Sequence, residues 1–292
     1  VQVTPRHLLV EVNSVVDFLP FLGFGDRGYH LFGHPYALTR TALRCCLTQL
    51  APALPPGPML DVGCGTMPYR KLFPQATPYE GLEINQTRQK KNPRVTYFYD
   101  GETIPIADDQ FAAILCSEVL EHSFVPERLL SECHRVLRPG GALLLTMPFL
   151  WPEHEQPWDS QRFTHDGLRQ RLVMAGFRVE TMLKLNPGLP ALLQLCIDWV
   201  ESFGRRLLIQ LPEGWPRKAV QGIWRLLWAI PYTLLNGLGA LTRLASCPPS
   251  AGEAQRESKR PPWSPELYLT HVVLAVKTDP SAGSPPAREA ND

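Results

Sequence analysis

Residues 59–69 read MLDVGCGTMPY, an apolar strand running straight into a glycine-rich turn. Gly63 and Gly65 have no Cβ, so the backbone there can come close to a nucleotide-like ligand. The crevice beyond the carboxyl end of such a strand is where open α/β sheets bind one. A dinucleotide site would show GxGxxG, with a helix N-terminus facing the pyrophosphate. Here the third glycine position is Pro68, which argues against NAD and for a ligand without phosphates. Glu83, in the stretch GLEI, follows at a strand end, where a carboxylate can accept both hydroxyls of a ribose.

Outward from this point the pattern alternates. Short apolar strands are predicted at MLDV, YEGLEI, VTYFY, AAILC and ALLLTM, with a helix over 126–137 and a Pro-Gly-Gly turn before the last of them. A further helix over 166–175 ends at Gly176 and precedes the strand FRVETMLKL, and YLTHVVLAV (268–276) reads as one more strand. This rhythm predicts a parallel sheet covered on both faces. Ahead of it, residues 36–50 carry a helix.

The charge balance, 29 Lys+Arg against 28 Asp+Glu, gives no overall field for nucleic acid, and no nucleic-acid partner is expected. The seven cysteines include no CxxC pair, so they read as reduced thiols of a cytoplasmic protein. The apolar stretch LLVEVNSVVDFLPFLGF (8–24) is broken by Glu11, Asn13 and Asp17 and is not read as a signal peptide.

LDVGCG (60–65), GLEI (81–84), IPIADDQFAAILCSEVLEH (104–122) and LLSECHRVLRPGGALLLTMPF (129–149) resemble, in order and spacing, the successive motifs of class I S-adenosylmethionine-dependent methyltransferases, the type-11 group in particular. The resemblance runs over about residues 60–177. It implies a Rossmann-like, seven-stranded, mostly parallel sheet with an antiparallel last strand, helices on both faces and a helical insertion between strands 6 and 7. It also implies S-adenosyl-L-methionine as cofactor, with Asp61, Gly63, Cys64 and Gly65 around its methionine portion, Glu83 and Ile84 at the ribose, Asp100 near the adenine, and Ser117 and Glu118 near the sulfonium. PFLWPEHEQPWDSQRFTHDGL (148–168) resembles a bacterial subset linked to glycan or natural-product modification.

Methyl transfer is an in-line displacement at an activated carbon, so the protein must align the nucleophile and take a proton from an oxygen or nitrogen acceptor. His122, His154 and His165 are the candidate bases, with Glu121 and Asp159 behind them, because all follow the fourth and fifth strands on the cofactor side. The run Glu118, Glu121, His122 also resembles a metal-binding EVxEH, to which His154 or His165 would add a ligand. The plainer reading, taken here, needs no metal: Glu118 stands by the cofactor while Glu121 and His122 order the loop. Arg162 would hold an acidic substrate group or brace its loop, and Trp151 and Trp158 would stack on the acceptor or cover the pocket.

The expected organisation is a helical lead-in or cap (1–50), a cofactor-binding core (51–185), a helical insertion with a flexible loop (186–266), a final core strand (267–278) and a disordered tail (279–292). Polar residues recur at steps of three and four through 186–245, leaving broad apolar helix faces. Residues 226–242 are uncharged, but Pro231, Asn236, Gly237 and Gly239 interrupt them, and a single crossing would strand the last β-strand beyond the membrane. The insertion is therefore read as a lid or dimer face, or as a peripheral contact with the inner membrane surface. The expected acceptor is an oxygen, less favourably a nitrogen, of a small-molecule, glycan or lipid-linked substrate. The alternative is a catalytically silent module that binds the cofactor and holds a membrane or protein partner. The oligomeric state is left open.

Overall fold

A computed structural model describes residues 34–84, 94–210, 216–244 and 267–278. The expected flexible loop and tail lie outside these residues. The chain divides into two compact units: one takes in residues up to Gln49, Leu150–Pro152 and Lys184–Thr270, and the other Leu50–Phe149, Glu153–Leu183 and the chain from His271 onward.

The sheet has seven strands in the order β3-β2-β1-β4-β5-β7-β6. They are β1 (Gly57–Val62), β2 (Ala76–Ile84), β3 (Val95–Tyr99), β4 (Phe111–Ser117), β5 (Leu137–Pro148), β6 (Phe177–Leu185) and β7 (Thr270–Lys277). β1 pairs in parallel with β2 and β4, and β2–β3 and β4–β5 are parallel as well. The last hairpin is antiparallel, since Thr278 N donates to Gly176 O at one end and Leu269 N to Leu185 O at the other. The strand order reverses between β1 and β4, which opens a crevice beyond their carboxyl ends.

Strands buried on both faces need apolar residues at consecutive positions, and β1 and β4 supply them: Leu60, Val62, Ile114, Leu115 and Cys116 are all buried. Helix α2 (Pro126–Val136) starts on a proline and turns Leu129, Leu130, Cys133 and Val136 into this core, one apolar stripe at helical spacing. Helix α3 (His165–Met174) is capped by Thr164, whose hydroxyl accepts from Gly167 N at 3.2 Å. The Pro-Gly-Gly segment differs from its expected turn. β5 already begins at Leu137, and the surplus residues bulge between the Phe111–Leu137 and Ala113–Ala142 pairs, with Gly140 at φ 74°.

The other unit is helical, with α1 (Ala37–Leu50), α4 (Leu189–Ile209) and α5 (Arg217–Leu244). Gly239 lets α5 close on α1, since a Cβ there would meet Leu38 at 2.7 Å. Buried amides tie the helices to the start of the described chain. Gln194 accepts from the Thr39 hydroxyl and donates to Pro35 O, and Asn236 donates to His34 O. Among the described residues no helix is long and apolar enough to cross a membrane.

Candidate active site

The turn after β1 stands on β2. Gly63 N and Cys64 N both donate to Leu82 O, and Gly65 N donates to the Glu83 carboxylate at 3.0 Å. Gly63 (φ 63°) and Gly65 (φ 47°) adopt left-handed backbone, but the two glycines are needed for different reasons. A Cβ on Gly63 would lie 2.4 Å from Val119 in the loop after β4, whereas one on Gly65 would meet nothing within 4 Å. The turn is thus pressed against the β4 loop at Gly63 and open above its backbone at Gly65, a cradle suited to a ligand that touches main chain.

Glu83 does not stand free at the end of β2. One oxygen braces Gly65, and the other accepts from Ile84 N at 3.1 Å. Ile84 packs under the next turn, 3.2 Å from where a Cβ on Gly101 would sit. Asp100 is exposed and accepts from the backbone N–H groups of Glu102 and Thr103, bonds that lower its pKa and shape that turn. Cys64 is buried and its thiol is pushed up to about 12 by that burial, so it packs rather than reacts.

Beneath the turn, Asp61 accepts a 2.7 Å hydrogen bond from the Tyr79 hydroxyl. Burial pushes its carboxyl up to about 7; Tyr79 opposes the rise and Glu83 adds to it. At the end of β4, Glu118 has φ 55°, a strained conformation for a non-glycine residue of the kind that clusters at functional sites. Its carboxylate accepts from the Thr146 hydroxyl, which also lies 2.9 Å from Ser117 Oγ. Burial raises Glu118 to about 7 against the pull of Thr146 and Arg162. Sequence alone does not mark Tyr79 or Thr146 as site residues. For Thr146 the signal was register, because it pairs directly with Ser117 across β4 and β5.

A second cluster joins the loops after β4 and β5. Ser160 donates from both backbone N and hydroxyl to Glu121 O, tying the loops together. Asp159 takes a two-pronged bond from Arg162 and also accepts from His154 N at 3.0 Å, with His154 Nδ1 at 3.1 Å. Burial alone would raise Asp159, but Arg162 and the His154 amide outweigh it and hold the carboxyl below its usual range. The His122 and His154 rings stand 5.0 Å apart, edge to face. His122 is lowered from its ordinary value by burial and by His154, and its Nδ1 has no hydrogen-bond partner.

Glu121 is 0 % exposed, and neither of its carboxyl oxygens has a hydrogen-bond partner. Burial, with the Glu118 charge, raises its pKa well above the ordinary carboxylate value. Glu121, His122 and His154 each offer a ligand atom, all within 4.8 Å of one another. Glu118, the remaining member of the sequence-suggested metal set, is turned onto Thr146 instead.

Of the other sequence candidates, His165 begins α3 against Asp166 and the His271 ring. Trp158 is exposed beside Phe124. Trp151 belongs to the helical unit, where its ring lies 5.8 Å from Tyr36.

Residues 60–145 match the family model described as a methyltransferase domain. Similar proteins include the malonyl-[acyl-carrier protein] O-methyltransferase of Alcanivorax borkumensis, 28% identical over 44% of this chain and 48% of that protein. The fatty-acid O-methyltransferase of Mycolicibacterium smegmatis is 29% identical over 53% of this chain and 63% of that protein. A human thiol S-methyltransferase is 29% identical over 36% and 46%. The chain spans about half to two thirds of the length of the curated relatives it matches. With the strand order and the glycine turn described above, the segment 60–145 is a methyltransferase domain of the class I, S-adenosylmethionine-dependent kind.

Proposed function

We propose that this protein transfers the methyl group of S-adenosylmethionine to an oxygen of a small-molecule, glycan or lipid-linked acceptor, working in the cytoplasm or at the inner surface of the membrane. The observation that carries the reading is the open backbone at Gly65, braced by Glu83, together with the raised carboxyls of Asp61 near the end of β1 and Glu118 just after β4. A ligand with a sulfonium and an ammonium group suits carboxyls that burial holds near half-ionisation, because a cation draws them to the charged form. Two of the relatives carry O-methyltransferase in their names, which supports oxygen; the thiol S-methyltransferase is the competing precedent.

Bound S-adenosylmethionine supplies the electrophilic methyl carbon. The chain's own part is alignment and proton removal. His122, held below its ordinary value by burial and by His154, is the base assigned to the acceptor hydroxyl. His154, held by Asp159, packs edge to face on that ring and keeps it in place.

Calorimetric titration with S-adenosylhomocysteine, with NADH as control, tests the site. Binding on the order of micromolar is expected, and no binding would overturn the reading. Binding without methyl transfer to any acceptor would favour the silent module instead.

A second reading is favoured by the two unpartnered oxygens of Glu121. Glu121, His122 and His154 would hold a divalent cation that polarises the acceptor hydroxyl. Full activity in EDTA would end it.

A further inference from the structure

Helix α5 has one face that a water-exposed helix should not have. Its buried stripe, Tyr232, Asn236, Gly239 and Ala240, is turned inward. Ile223, Leu226, Leu227, Ile230, Leu234 and Leu238 follow at helical spacing on the exposed side, with Leu226 75 % and Ile230 72 % exposed. This row runs for about 25 Å at the rise of an α-helix. Helix α4 repeats the pattern: Leu192, Trp199, Phe203 and Leu207 are exposed while Asp198 and Glu201 point into the unit. The rows are joined by rings, Trp199 on Phe203, Phe203 beside Trp224, then Trp224 and Trp228. Gly204 admits Trp224 to this ladder, since a Cβ there would lie 2.3 Å from the indole.

Charge selects among the surfaces that could cover such a face. The two acids of α4 are buried, and its exposed charges are Arg205 and Arg206. The α5 segment carries Arg217, Lys218, Arg225 and Arg243 and no acidic residue. An apolar face with tryptophans and an all-cationic complement fits an anionic lipid surface, whereas a second copy of the chain would meet the same positive charge. Among the described residues neither helix is long and apolar enough to cross a bilayer, so a contact with lipid through this face would be interfacial.

We propose that α4 and α5 form an interfacial docking surface for anionic phospholipid bilayers. The proposal stands on the helical unit alone and does not depend on the methyl-transfer reading.

The test is co-flotation of the full chain with vesicles of phosphatidylcholine, or of phosphatidylcholine with about 30% phosphatidylglycerol. Binding to the anionic vesicles is expected, about tenfold or more above the neutral ones, and weakened several-fold at 0.5 M salt. Leu227→Glu combined with Ile230→Glu, both at exposed positions, is expected to abolish flotation while S-adenosylhomocysteine binding and circular dichroism stay unchanged. Arg206→Glu should reduce anionic binding and leave the neutral background alone. The proposal is overturned if the folded chain stays soluble beside anionic vesicles. It is equally overturned if light scattering shows a dimer that Leu227→Glu with Ile230→Glu dissociates, because the face would then belong to a second copy.

Discussion

The affinity for S-adenosylmethionine should rise steeply with pH just below neutrality. Asp61 and Glu118 are both pushed up to about 7 by burial, and a cationic ligand binds the ionised carboxyls in preference to the neutral ones. Between pH 6 and pH 7.5 the ionised fraction of a group with a pKa of 7 climbs from about 0.09 to about 0.76, roughly eightfold. If both carboxyls respond independently, affinity rises by up to about 70-fold, or about 2.5 kcal/mol. This window lies below the range in which the ligand's own amino group loses its proton, about 7.7–8.0 for an α-amine. Calorimetry at pH 6 in two buffers of different ionisation enthalpy counts the protons released, with nearly two expected. Asp61→Asn should halve the slope. S-adenosylhomocysteine, which lacks the sulfonium charge, should show a weaker pH dependence. Equal affinity at pH 6 and 7.5, with no buffer dependence, would refute the claim that these carboxyls face a cation.

Other outcomes follow from the same geometry. Gly63→Ala, with Val119 2.4 Å from the new Cβ and a positive φ, should cost about 1–3 kcal/mol of stability in urea melts. Gly65→Ala bears only the backbone strain, about 1 kcal/mol, yet should weaken S-adenosylhomocysteine binding more than Gly63→Ala does for its stability cost, because it fills the open cradle. Glu83→Ala removes the acceptor of Gly65 N and should weaken binding by about 5- to 150-fold, an interaction worth about 1–3 kcal/mol. The ligand-free protein should lose stability as pH rises from about 4 to 8. Asp61 and Glu118 are raised in the fold, so the native state binds more protons than the unfolded chain across that window; a urea midpoint that rises instead would contradict both shifts. At saturating S-adenosylmethionine the acid limb of kcat should fall below pH 6.5, because burial and His154 lower His122, and His122→Ala should remove that limb.

Local pattern made the core legible. The apolar runs at MLDV and AAILC announce strands buried on both faces, and glycines at 63 and 65 announce a turn that needs left-handed backbone. The Pro-Gly-Gly segment reads as a turn because a bulge and a turn use the same residues, and only the pairing of Phe111 with Leu137 decides between them. Within the site, the meeting of Glu121, His122 and His154 was only partly foreseeable. His122 is adjacent in sequence, but His154 arrives through Asp159 and Ser160, contacts that no local spacing encodes. Asp61 was legible as a site residue, while its partner Tyr79 depended on the β1–β2 register.

The position of β7 bears on how the chain is made. β7 lies between β5 and β6, though it is the last of the described strands to leave the ribosome. Its first bond to β6, from Leu269 to Leu185, closes a loop of about eighty residues. Compared with a four-residue turn, that closure costs about 3 kcal/mol more chain entropy unless the intervening helices have already brought the two ends together. Order of synthesis favours that route, since α4 and α5 emerge before β7 and can pair while it is still being elongated. Until Thr270–Lys277 slots in, β5 has an open edge and β6 has no neighbour on that side, so a nascent chain stalled at this point is exposed to edge-to-edge aggregation and to proteolysis.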